Sequence, residues 1–177
     1  MIRVLGLGNV LMSDDGFGPF VVEHLLARYE FGADVEVIDV GTPGLDLTPY
    51  LGDAAAVVIV DTVKSQGAPG ELRLYRKAQL LRHPPQPRTS PHDPGLSDAL
   101  FALTLAGTDP GEVLLVGAIP EHVGMGSRLS PALQAAVEPA ALEVVTELRR
   151  LGATVRVREP QAAVRPWWIA GREHVDS

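Results

Sequence analysis

Four side chains in this sequence have the types and spacing needed to hold a cation or to move a proton. Asp14 and Asp15 lie inside Gly6-Leu7-Gly8-Asn9-Val10-Leu11-Met12-Ser13-Asp14-Asp15-Gly16-Phe17-Gly18. Asp61 directly follows the apolar run Val57 to Val60, and His92 sits within Thr89-Ser90-Pro91-His92-Asp93-Pro94-Gly95-Leu96. Acids and an imidazole on successive strand ends form a two-oxygen, one-nitrogen set suited to a divalent cation. The glycines of the first segment also invite a dinucleotide reading, in which a pyrophosphate approaches a helix N-terminus. That reading fails: the third glycine of the fingerprint would fall on Leu11, and two carboxylates stand where the phosphate must sit. Taken alone, Asp14 and Asp15 also suit helix capping and the helix dipole.

The elements that must position these groups follow from periodicity. Ile2 to Leu7 reads as a strand, Gly16 to Tyr29 as a helix with Pro19 in its first turn, and Val35 to Val40 as a second strand ending near Asp39. Gly41-Thr42-Pro43-Gly44 is a turn by composition, and a short helix over Leu45 to Leu51 leads to a third strand at Ala55 to Val60. Glu71 to Tyr75 alternates like a half-exposed strand near a sheet edge. Five prolines between Arg82 and Gly95 forbid regular structure, and long loops of this kind are often functional. Ser97 is placed to cap a helix that runs to about Ala106 and ends at Gly107, and Val113 to Ile119 is another buried strand. Ser130-Pro131 starts a long helix whose apolar stripe runs from Leu133 to Leu151, with a kink expected at Pro139 and a stop at Gly152. A last strand is expected near Thr154 to Val157. The alternation predicts an α/β fold in three layers, a twisted and mostly parallel sheet with helices on both faces. We divide the chain into one domain over 1–157 and a C-terminal tail over 158–177.

Composition narrows the classes. At 177 residues one domain is expected, large enough to bury roughly 70% of its unfolded surface without staples. There is no cysteine, so thiol nucleophiles, disulfides and Cys-type zinc sites are excluded, and any metal must be held by oxygen or imidazole. A net charge of −7 with no basic stripe excludes a nucleic-acid partner. No apolar run approaches the ~20 residues of a membrane span, and the N-terminus has no signal-peptide pattern, so a cytoplasmic monomer is expected.

The sequence resembles the NiFe hydrogenase maturation endopeptidases over about residues 1–157. The likeness is carried by the Gly6 to Gly18 segment, Asp39-x-Gly41-Thr42-x-Gly44, Asp61 after its strand, Ser90-Pro91-His92 with Gly95-Leu96-x-Asp98 beyond it, Gly117-x-Ile119-Pro120-Glu121, and Glu138-Pro139. The resemblance implies an α/β enzyme that clips a C-terminal peptide from the precursor of the hydrogenase large subunit once nickel has been inserted. By position it implies that Asp15, Asp61 and His92 are the metal-binding and catalytic residues, with Asp15 standing where many relatives carry Glu, and that Gly41 and Thr42 contact substrate. Asp14 receives no ligand role and stays a cap. Two carboxylates and one imidazole bind a borderline metal only moderately, which suits reading nickel that the substrate brings. No organic cofactor is implied.

The mechanism stays open between a metal that polarises the scissile carbonyl or activates a water and a general base at Asp61 or Asp15. Ser13, Ser90 and Thr42 have no histidine tied to them and make poor nucleophiles. His24 reads as partly packed on its helix, His122 as a solvated loop residue bordering the site, and His83 and His174 carry no pattern. Trp167 and Trp168 either anchor the tail in an apolar groove or meet a partner. Two other classes compete with a protease. A nickel-sensing binding module would keep the metal without cleavage. A phosphoacceptor receiver domain would use Asp61, but needs a lysine at the end of its last core strand, and Val113 to Glu121 holds none.

Overall fold

In the computed structural model, which describes residues 1–42, 46–83 and 95–170, the predicted apolar runs form the centre of a five-stranded sheet. β1 (Ile2–Leu7) pairs in parallel with β3 (Val35–Gly41) on one side and β4 (Ala56–Thr62) on the other. β6 (Glu112–Ala118) adds in parallel to β4, and β5 (Leu72–Arg76) closes the far edge antiparallel to β6, giving the order β3-β1-β4-β6-β5. β4 carries its apolar side chains as a continuous run because both of its faces are covered. Ala56, Val58 and Val60 enter one core, and Val57 and Ile59 enter the other.

The first core lies between the sheet and two long helices, α1 (Phe17–Arg28) and α5 (Pro131–Arg150). Phe17, Val21 and Leu25 of α1 pack against Leu133, Val137, Ala140, Val144 and Leu148 of α5, all at 4% exposure or less. The opposite face is covered by α2 (Thr48–Leu51), α3 (Lys77–Arg82) and α4 (Leu96–Ala106) through Leu51, Leu80, Leu100 and Leu103. The three-layer α/β architecture read from the sequence is therefore the observed one.

Local differences have local causes. The N-cap of α4 is Gly95, whose N–H is accepted by the Asp98 carboxylate at 3.0 Å. Ser97, the expected cap, lies inside the helix and donates instead to the Leu80 carbonyl of α3 at 2.9 Å. Gly107 ends α4 in the left-handed conformation as expected, with φ of 72°. Ser130 caps α5, accepting the Leu133 N–H at 3.3 Å, and the helix runs as one element past Pro139. β7 (Val155–Val157) joins a separate antiparallel ribbon with β2 (Tyr29–Phe31), a strand too short to announce itself by alternation. Residues beyond β7 fold back along α1: Arg158 and Ala162 donate backbone hydrogen bonds to Arg28 and Ala27, and α6 (Trp167–Ala170) sets Trp168 edge-on to Phe20 at 4.9 Å.

Candidate active site

The connection from β1 to α1 is built from glycines because backbone meets backbone there. A Cβ on Gly8, at φ of 133°, would lie 1.8 Å from the Asp15 carbonyl oxygen. A Cβ on Gly18 would come within 2.5 Å of both Leu7 and Val60 backbone atoms, so α1 starts directly against the ends of β1 and β4. Close packing of a helix onto two strand ends therefore accounts for these glycines without a phosphate. A 3-10 turn, Ser13–Gly16, precedes α1 and contacts β4.

Asp15 is carried by that turn at 5% exposure and accepts the Asn9 N–H at 2.9 Å. Asn9 also accepts the Leu11 N–H, a local turn that explains an amide at this point of the segment. Asp61 is the next-to-last residue of β4, in register with Gly117 of β6, and its carboxylate accepts the Thr62 N–H at 2.8 Å. By strand alternation Asp61 shares the face of Val57 and Ile59. After β1 the chain moves outward to β3 and then returns to place β4 on the other side of β1. Such a reversal opens a crevice at the carboxyl ends of the strands, where open α/β sheets bind ligands. Asp15 follows β1 and Asp61 is the next-to-last residue of β4, so both acids lie at the carboxyl ends of these neighbouring strands, where the crevice opens. Two carboxylates there can bind a cation or take a proton from water. His92 and Ser90 lie outside the described residues, and among those described no group of three metal-ligating side chains forms.

Asp14 is the residue whose role the sequence did not reveal. Its carboxylate is fully buried yet caps neither the 3-10 turn nor α1. It accepts hydrogen bonds from the N–H groups of Glu121 at 2.9 Å, His122 at 3.0 Å and Ser130 at 2.7 Å, and from the Ser130 hydroxyl at 2.9 Å. The expected capping role is thus transferred: Asp14 fixes Ser130, which caps α5, and ties the loop after β6 to the turn after β1. A pair of adjacent acids hints that one must turn inward, but nothing in the spacing names its partners 107 to 116 residues away.

Gly41 bends the end of β3 with φ of 63°, and its carbonyl accepts the Gly8 N–H at 2.8 Å, while Thr42 beyond it is exposed. Asp39 accepts the Gly41 N–H at 2.9 Å, so it shapes this bend. Burial pushes the Asp39 carboxyl up, opposed by the Gly41 N–H and by the Trp167 indole. Burial and the nearby Asp39 charge likewise push Glu23 up. His24 is held below its usual value, first by burial and then by Arg28, as a partly packed helix residue should be. His122 is an exposed loop residue stacked over Gly124.

Residues 19–147 match the family described as hydrogenase maturation protease. The chain belongs to the hydrogenase maturation protease family. It is 36% identical over 159 residues to the hydrogenase 2 maturation protease of Escherichia coli, covering 89% of this chain and 96% of that one. It is 35% identical to the hydrogenase expression/formation protein HupD of Rhodobacter capsulatus, covering 87% and 74%. Its fold superposes on the hydrogenase maturating endopeptidase HybD from E. coli with a TM-score of 0.80 over 89% of this chain and 98% of the other. The HybD protease of Thermococcus kodakarensis follows at 25% identity and a TM-score of 0.62, covering 83% and 97%. This maturation protease is therefore an enzyme, which sets aside the non-catalytic binding module. Nor does Lys77 supply the lysine that the receiver reading needs. Lys77 lies at the opposite end of the sheet, beyond Arg76, which pairs with Leu114, and its ammonium is held by Asp109 and the Pro110 carbonyl.

Proposed function

We propose that this protease removes a C-terminal peptide from the large-subunit precursor of a NiFe hydrogenase after nickel insertion, recognising the metal through Asp15, Asp61 and His92. The observation that carries the reading is the placement of Asp15 after β1 and of Asp61 near the end of β4, the neighbouring strands where the sheet order reverses, within a chain of the maturation protease family. The donor chemistry agrees with a metal delivered as part of the substrate. A site of carboxylates and imidazole, in a chain without cysteine, holds a borderline metal more weakly than the thiolates of a precursor would. Occupancy is then reported by the substrate, and an empty precursor is passed over.

In the cleavage, water adds to the scissile carbonyl carbon, the C–N bond breaks, and the proton taken from water is delivered to the departing amine. A crevice carboxylate, Asp61 or Asp15, is the group that can accept and return that proton. Gly41 and Thr42, at the end of β3 on the same edge of the sheet, contact the bound chain. We assign the step to the cytoplasm, with the protease acting as a monomer that meets its precursor transiently.

The test is incubation with nickel-loaded and nickel-free precursor, followed by mass measurement of the products. Only the loaded precursor should be shortened. Asp61→Asn, which keeps an acceptor for the Thr62 N–H, and His92→Ala should each lower the rate by about 100-fold or more with unchanged melting. Equal processing of both precursors would remove metal recognition, and full activity in both variants would remove the site.

A further inference from the structure

The loop between β6 and α5 exposes apolar side chains beside the crevice and is nevertheless held by a fully buried charge. Val123 is 45% exposed and Met125 is 93% exposed, and Leu11, on the turn after β1, is 53% exposed. The two segments are zipped together at their backbones. The Gly126 N–H donates to the Leu11 carbonyl at 2.9 Å, the Ser13 N–H donates to the Gly126 carbonyl at 2.7 Å, and Met12 bridges in parallel to Gly126. A Cβ on Gly126 would sit 2.6 Å from the Ser13 hydroxyl. Asp14 completes the attachment through Glu121, His122 and Ser130.

Folding does not account for Met125. A side chain left in water adds nothing to the core, whereas burying an unpaired carboxylate is costly unless donors surround it. Here four donors surround Asp14, and what they fix is a loop that presents an apolar rim. That rim is tied to the turn that carries Asp15: the Ser13 N–H donates to the Gly126 carbonyl at 2.7 Å and the Asp14 N–H to the His122 carbonyl at 3.2 Å, so the rim borders the crevice on the Asp15 side.

We propose that Leu11, Val123 and Met125 form the docking rim for apolar side chains of the substrate polypeptide next to the scissile bond, and that Asp14 is the positioning residue that holds this rim against the Asp15 turn. The proposal rests on the reading of the crevice as the cleavage site. It assigns Asp14 no contact with substrate. Its carboxylate acts through the amides of residues 121 and 122 and through Ser130, setting where the rim stands relative to the acids. Apolar docking makes the occupant an extended, hydrophobic stretch of the precursor, since a charged stretch would leave Met125 and Val123 unmatched.

Steady-state cleavage of nickel-loaded precursor separates the possibilities. Val123→Ser and Met125→Ser, both on exposed side chains, should raise KM roughly tenfold each while kcat holds, because only binding is removed. Leu142→Ser on the outer face of α5, 50% exposed and distant from the crevice, serves as the control and should alter neither constant. Asp14→Asn should raise KM in the same direction, with faster amide exchange at residues 121–126 and slow exchange retained in β4. Unaltered KM in the two serine variants overturns the rim, and this holds even if Asp14→Asn fails to fold. A loss of kcat at constant KM in Asp14→Asn, or an unaltered exchange pattern, overturns its positioning role. Loss of cleavage by Asp61→Asn alongside unaltered rim variants would defeat this inference and leave the crevice standing.

Discussion

Asp14 and Asp15 are sequence neighbours with opposite assignments, and the 3-10 turn is what separates them. One carboxylate faces the β6–α5 loop, the other turns toward the N–H of Asn9. Gly8 makes that separation possible, because the Asp15 carbonyl occupies the space where any side chain at position 8 would lie. Gly8→Ala must therefore both move this carbonyl and hold alanine at φ of 133°. We predict a loss of about 3 kcal/mol or more in urea denaturation, with cleavage lost in the surviving folded fraction. Glycine positions, the acids and the turn at Gly41 were legible from residue types alone, since each needs a specific conformation or charge. The partners of Asp14 were not, because a buried carboxylate announces its donors only through three-dimensional contact, and three of those four donors are backbone N–H groups common to almost every residue.

Helices and strands with a continuous apolar stripe were legible to within a residue or two, as β1, β4, β6 and α5 show. The short pieces β2 and α3 were not, because their stability comes from neighbours more than from their own pattern, whereas β7 was read at Thr154 to Val157 and is observed at Val155–Val157. α5 adds a feature that periodicity hides: Glu147 lies on its buried face at 4% exposure. Arg150 and Arg76 both donate to its carboxylate, the second reaching across from the end of β5. Hydrogen bonds from Arg150, and then from Arg76, hold Glu147 at about 2, below its usual 4.5. A depressed folded value stabilises the protein above about pH 4.5, and that stability is lost as pH falls toward 2. Both arginines are nearly half exposed, so solvent screening reduces the contribution to roughly 1–2 kcal/mol. Glu147→Gln should lower the urea midpoint at neutral pH and flatten its decline between pH 4.5 and 2. An equally steep decline in the variant would place the acid sensitivity elsewhere.

At the scale of the molecule, the sheet reverses its strand order between β1 and β4, and a tail that returns from β7 runs back along α1. No helix among the described residues is long and apolar enough to cross a membrane. The tail is held by Trp168, 6% exposed against Phe20, with Trp167 stacked edge-on at 5.7 Å and 65% exposed. Of the two roles left open for this pair, Trp168 takes the anchoring one. Its indole N–H finds no acceptor among the described residues, so its contribution is packing alone. Trp168→Ala should cost about 3 kcal/mol, whereas Trp168→Phe, which keeps a ring and removes the orphaned donor, should stay within about 1 kcal/mol of the native protein. Equal losses in both would mean that the N–H is paired after all.

The tie from Asp14 to Ser130 spans 116 residues of chain, which has a consequence for synthesis. Contacts of such separation form late, because the entropy of closing the intervening chain must be met first. A ribosome-bound fragment ending before residue 120 would already carry Asp15, Asp61 and His92, yet have no partners for Asp14. Asp15 would then stand on a turn without its tie to the β6–α5 loop. The attachment of that turn is therefore completed only when the final third of the polypeptide has emerged.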